Sequence, residues 1–250
     1  MLFYFVGFSS QYSHTGSLCR LVADALKAFP ANPASMTHVS KYVLLSAAYL
    51  GPVQYYTKFL QYDKVFVEAQ ENYQKQSYRN RCLILSANGI LPLIIPVAKD
   101  QPKVITKDIR IDNTLSWQKN HWNAIESAYS ASPYFEFFID DLIPFYKKHY
   151  TYLLDFNLEL QNMMLEVLEI KISVSITDHF IKHPASETDD FRHAIHPKKS
   201  TNKHDRYFHP AFYYQVFQDK YGFIPNLSIL DLLLNEGSNA ENILRQSIVR

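Results

Sequence analysis

The sequence predicts an α/β fold, a single domain with a mixed β-sheet flanked by helices. Three patterns carry that expectation. Residues 42–69 read in succession as strand, helix and strand. Further β-type apolar runs follow at 82–85, 90–97 and 103–111. Helical periodicity then occupies 117–129, 134–148 and 158–169.

Residues 1–40 stand apart as an N-terminal appendage, because Ser9, Ser10, Ser13, Thr15 and Ser17 surround one short helical pattern, Leu18 to Phe29, closed by Pro30 and Pro33. The domain itself is expected at 41–250. Its first strand, at 42–48, meets a turn at Gly51-Pro52, a helix to Leu60 and a strand from Lys64 to Ala69, a βαβ unit. Pro92 and Pro96 confine the 90–97 run to an edge or to strand ends, and Lys103 to Ile111 reads as another strand. Ser132 and Pro133 open the second helix and Pro144 kinks it. Ile170, Ile172, Val174 and Ile176 alternate with Lys171, Ser173, Ser175 and Thr177, the period of a strand with one wet face. Residues 178–206 lose all periodicity and read as a long irregular loop. Beyond it, Ser228-x-x-Asp231 forms a capping box, Leu227 and Leu232 occupy the staple positions, and Gly237 closes a C-terminal helix packed on the sheet.

Composition narrows the chemistry. Of 250 residues 47% are hydrophobic and 20% charged, which is ordinary globular usage. The six glycines, at 7, 16, 51, 89, 222 and 237, are too scattered for a G-x-G-x-x-G or P-loop phosphate cradle. A net charge of +1 provides no global field for nucleic acid, so no nucleic-acid partner is expected and any anion site must be local. Cys19 and Cys82 are too few for a disulfide framework and fit a reducing, cytoplasmic compartment. The N-terminus lacks the basic n-region of a signal peptide, and no apolar run approaches the roughly 20 residues of a membrane span. No cofactor is expected.

Three groups could carry chemistry. If 73–81 were extended, Lys75, Ser77, Arg79 and Arg81 would share a face able to hold phosphate or carboxylate, with Gln74, Gln76 and Asn80 offering hydrogen bonds from the other side. The alternative is a solvated face whose cations pair with Glu68 and Glu71. His121 on the 117–129 helix is either a cleft-facing general base or a helix histidine bonded to a backbone carbonyl. Within 178–209, His193-x-x-His196 offers two imidazoles beside several carboxylates; a metal site is weighed there but not expected, since H-E-x-x-H is missing and Pro184 and Pro197 break local helices. Asp231 is accounted for by the capping box, and Tyr213, Tyr214 and Phe217 by packing.

The strings YLGPVQYYTKFLQYDKVFVEAQENYQKQSYRNRCLI, LPLIIPV, NHWNAIESAYSASPYF, YYQVFQ and NLSILDLLLNEG together resemble the WbqC-like family over about residues 43–237, with Asn80-Arg81 and the closing S-I-L-D-L-L-x-N-x-G most specific. The resemblance implies a role in O-antigen and surface-polysaccharide pathways, and it places the family's polar core at Gln54, Gln74, Lys75, Asn80, Arg81, Trp117, Tyr214, Gln215, Ser228, Asp231 and Asn235. Two departures stand out: Ser46-Ala47-Ala48-Tyr49 replaces a His-Gln-Pro of many relatives, and Asp178 to Lys199 replaces a Y-L-S-G segment. The second makes Arg192, His193, His196 and Lys198 candidates for a subgroup-specific site. The family pattern begins just after Met36, where translation is expected to start.

The expected function is group transfer on an activated sugar or related anionic metabolite such as a nucleotide sugar. Lys75, Arg79 and Arg81 would hold the anion, Gln54, Gln74, Asn80 and Gln215 would orient the substrate, and His121, His193 or His196 would move a proton. The alternatives are a non-enzymatic accessory protein of envelope assembly and a metal-dependent hydrolase using the histidine-rich loop.

Overall fold

The computed structural model describes residues 41–98, 104–198 and 205–249. The appendage expected at 1–40 and the start expected at Met36 lie outside them, as does Lys103. In chain order the domain runs β1 (Tyr42–Ser46), α1 (Val53–Gln61), β2 (Lys64–Glu68), β3 (Arg81–Ser86), β4 (Gly89–Ile94), α2 (Trp117–Tyr129), α3 (Phe135–Leu142) and α4 (Leu153–Val167). It continues through β5 (Ser173–Ile176), β6 (Thr188–Asp190), α5 (Gln218–Tyr221), α6 (Ile229–Glu236) and α7 (Ala240–Gln246). Parallel and antiparallel pairing are both present. A parallel sheet has the order β5-β2-β1-β6, and β3 and β4 form a separate antiparallel pair.

The βαβ unit forms as its periodicity predicts, with Tyr42 opposite Lys64 and Ser46 opposite Glu68. β1 is central in the sheet, and its Val43, Leu44 and Leu45 are fully buried, the continuous apolar run of a strand covered on both faces. α1 packs on β2, α6 and α7, so every residue from Val53 to Phe59 is inside. That placement forces its polar residues Gln54 and Lys58 to find partners in the interior.

Several elements differ from the sequence expectation, each for a tertiary reason. The strand expected up to Ile111 is a 3-10 turn at Thr106–Asp108, because the amides of Thr106 and Lys107 bond back to the carbonyls of Glu71 and Ala69. Pro144 ends the second helix as an α-helix at Leu142 and passes it into a 3-10 turn, Ile143–Tyr146. The third helix begins at Leu153 rather than Leu158. Residues 178–206 are not wholly irregular, since they contain β6. Its Thr-Asp-Asp sequence has little β-propensity, yet the Tyr62 hydroxyl donates to Asp189 at 2.7 Å and Arg192 clamps Asp190, so tertiary bonds override it. The capping box is half made: Ser228 Oγ accepts from the Leu230 amide at 3.3 Å, but the Ser228 amide donates to the Leu83 carbonyl. Asp231 instead turns into the core.

Candidate functional site

The chain leaves β1 for β2 on one side while β6 joins β1 on the other, so the strand order reverses at β1. In open parallel sheets that reversal opens a crevice outside the carboxyl ends of the strands. Here the ends deliver Ser46 from β1, Glu68 from β2, and Asp190 and the following Arg192 from β6. Ser46 Oγ donates to the Arg192 carbonyl at 3.3 Å, spanning the gap.

At this margin lies an ionic network, buried at Arg192 and Glu68 and exposed at Asp190. Arg192 holds Asp190 with two bonds, Nε to Oδ1 at 3.0 Å and Nη2 to Oδ2 at 2.6 Å, and reaches Glu68 Oε2 through Nη1 at 3.1 Å. Burial pushes the Asp190 carboxyl up, but the Arg192 bonds outweigh it and hold the group below the usual carboxylate range. Glu68 is fully committed, accepting also from Thr177 Oγ1 and from the amides of Gln70 and Ile181. Beside it, Arg79 donates Nε to Glu71 Oε1 at 2.8 Å, and both side chains are buried. Burial raises the Glu71 carboxyl against the opposing pull of Arg79.

The segment 73–80 turns and is not extended, with Gln76 at φ 59° and Arg81 already in β3, so the four residues expected on one face separate. Ser77 and Arg79 turn inward and Lys75 stays exposed. Arg79 takes the expected alternative of pairing with an acid, Glu71. Arg81, Lys75 and Lys198 form no ion pair among the described residues, and the Arg81 Nε is buried without a hydrogen-bond partner there. The charge of Arg81 acts on His196 and on Tyr73.

The loop after β6 brings its histidines to this margin. Gln74 Nε2 lies 3.1 Å from His193 Nδ1. His196 Nδ1 accepts from the Lys198 amide at 3.0 Å, which fixes the neutral tautomer with its proton on Nε2. Burial, together with the charges of Arg79 and Lys198, holds His196 below its ordinary pKa, in keeping with that form. The structure therefore gathers Gln74, Arg79, Arg81, His193 and His196 in one region.

Other expected residues lie elsewhere. His121 donates Nε2–H to the Ile94 carbonyl at 3.2 Å and accepts from the Tyr49 hydroxyl at 3.0 Å, so both nitrogens are used inside the core. Gln54 donates to Asp205 at 3.0 Å, beside the buried Lys58–Asp205 pair. Asn80 bonds the Ile95 carbonyl. Gln215 joins the hydroxyls of Tyr129 and Tyr213 in bonding the buried Asp231 carboxylate. No group of three His, Cys, Asp or Glu side chains suited to a metal ion occurs among the described residues. Sequence reasoning named Glu68 only as a possible partner of the 73–81 cations and passed over Asn157, whose Nδ2 donates to the Arg79 carbonyl at 2.7 Å; the signal for Glu68 was its place at the carboxyl end of a parallel strand.

Fold and site together define an α/β protein with a charged, largely buried polar cluster at the carboxyl margin of a parallel sheet. The chain belongs to the WbqC-like protein family, whose model matches residues 47–212. It is also similar to the uncharacterized protein Rv1507c of Mycobacterium tuberculosis, with 25% identity over 228 residues, 83% of this chain and 98% of that protein. No solved structure matches it. No helix among the described residues is long and apolar enough to cross a membrane.

Proposed function

We propose that the sheet margin binds a small anionic metabolite, an activated sugar such as a nucleotide sugar, and that the chain catalyses a group transfer on it in surface-polysaccharide biosynthesis. The observation that carries this reading is Arg81, a cation with a buried, unpartnered Nε and no acid of its own among the described residues, acting on a neutral His196. A guanidinium left unpaired beside buried polar groups is costly unless an anion completes it. Arg81, with Lys75 and Lys198 at the exposed rim, takes the phosphate or carboxylate, while Arg79 is held by Glu71. Gln74 and His193 orient the substrate. His196 offers Nε2–H, which suits it to donate a hydrogen bond to charge developing on the transferred group.

Thermal-shift measurements with UDP-glucose and with inorganic phosphate test this reading. Ligand at a hundred times its Kd stabilises by about 2.7 kcal/mol, which raises Tm by roughly 5–10 °C for a chain of this size. Arg81→Gln should weaken binding at least about tenfold, the loss of a charged hydrogen bond. If none of a panel of anionic metabolites moves Tm, the anion site falls; binding without turnover on any donor and acceptor pair would favour the accessory role.

A further inference from the structure

The β3–β4 hairpin leaves one face open to solvent. Its register sets Arg81 opposite Ile94, Leu83 opposite Pro92 and Leu85 opposite Ile90. Residues directly opposite in an antiparallel pair share a face, so these six lie together, while Cys82, Ile84 and Leu93 on the other face are buried in the core. On the open face Ile90 is 52% and Ile94 42% exposed, Pro92 is exposed and Leu83 is half-buried. Arg81 is the one charged residue of the six. From Ile94 to Ile90 the apolar track runs about 14 Å, at roughly 3.4 Å per residue.

The backbone of β4 narrows what can cover this face. The Ile95 amide donates to the Asn80 carbonyl, so by alternation Gly89, Leu91 and Leu93 bond inward to β3, and Ile90, Pro92 and Ile94 turn their backbone groups to the free edge. Pro92 has no N–H to offer there, and the Ile94 carbonyl is taken by His121, so a strand of a partner or of a second copy cannot be added. Face-to-face protein contact is too small: two six-residue strands present about 200 Å², against roughly 800 Å² per partner in a stable interface. A hydrocarbon chain needs neither backbone bonds nor a wide area. At the end of the track stands Arg81, whose Nε has no partner among the described residues, and its pair with Ile94 is of the non-hydrogen-bonded kind, in which facing side chains are closest. We propose that Arg81 takes the phosphate of an ester whose hydrocarbon tail lies along Ile94, Pro92, Leu83 and Ile90. A group transfer needs two reactants; this inference names the chemical class of one of them and rests on the anion site.

Isothermal titration calorimetry with ethyl, butyl and octyl phosphate, each kept below its micelle concentration, tests the proposal. Full burial of one methylene is worth about fourfold in affinity, and an open face covers only part of each, so octyl phosphate should bind at least about tenfold tighter than ethyl phosphate, with butyl phosphate between them. The double variant Ile90→Gln and Ile94→Gln changes exposed side chains and should leave the fold intact. In it the dependence on chain length should shrink to near unity while ethyl phosphate binds as before. Equal affinities for the three esters in the wild-type protein would overturn the tail assignment and leave the anion site standing, and failure of all three to bind would overturn both. A chain-length preference that survives in the double variant would place the tail elsewhere and overturn the assignment. Co-sedimentation with phosphatidylglycerol vesicles that the double variant abolishes would give the face to a bilayer, and a dimer in analytical ultracentrifugation that it breaks would give the face to a second copy; either result overturns the proposal.

Discussion

At the scale of single residues, burial decides what an ionisable group can do. His121 has the position of a general base in the sequence, on a helix face shared with Trp117, yet no periodicity reveals that the Ile94 carbonyl and the Tyr49 hydroxyl occupy its two nitrogens. Burial lowers its pKa to about 4. Below pH 6.5 the unfolded chain takes up a proton that the folded chain refuses, so stability falls as pH drops from about 6.5 to 4, by about 3 kcal/mol from this residue. Urea unfolding of His121→Gln across that range should lack this part of the slope; an identical slope would place the acid sensitivity elsewhere. The same limit explains Asp231. Its spacing from Ser228 is that of a capping box, and only the fold shows that two tyrosines and a glutamine claim its carboxylate. Arg79 and Arg81 were recognisable as a cationic pair, but which of them an acid neutralises depended on the turn that places Glu71.

At the scale of elements, the sequence was legible wherever local pattern and burial agreed. β1, α1 and β2 declare themselves through periodicity, and α2 spans Trp117–Tyr129 as expected. β6 was illegible because three residues, two of them aspartates, owe their conformation to β1, Tyr62 and Arg192. Such a strand on the sheet edge should open locally before its neighbours. Hydrogen exchange should find the Phe191 amide, which bonds the Leu44 carbonyl, at least about tenfold less protected than the amides in the middle of β1; equal protection would mean that sheet and edge open as one unit. The end of α6 gives a second check. Gly237 has φ 54°, and a Cβ there would lie 2.4 Å from the Tyr134 ring. Gly237→Ala should destabilise by about 3 kcal/mol, combining left-handed backbone strain with overpacking. Adding Tyr134→Ala should return part of that loss in a double-mutant cycle by chemical denaturation. Strictly additive effects would remove the steric component.

At the scale of the whole molecule, the site depends on parts of the chain that are far apart. Gln74 and Arg79 come from the turns after β2 and Arg81 opens β3, while Arg192, His193 and His196 come from the loop after β6, and the sheet order brings the two sets together. The sequence marked both polar segments, but their meeting is a property of strand order, which carries no local signature. The bond from Arg192 to Glu68 closes a separation of 124 residues. On a ribosome adding roughly 5–20 residues per second, Glu68 is made some 6–25 s before the cation that completes it. A nascent chain halted in that interval has its first βαβ unit but no crevice, so any capacity to recognise a metabolite appears late in translation and truncated products are blank.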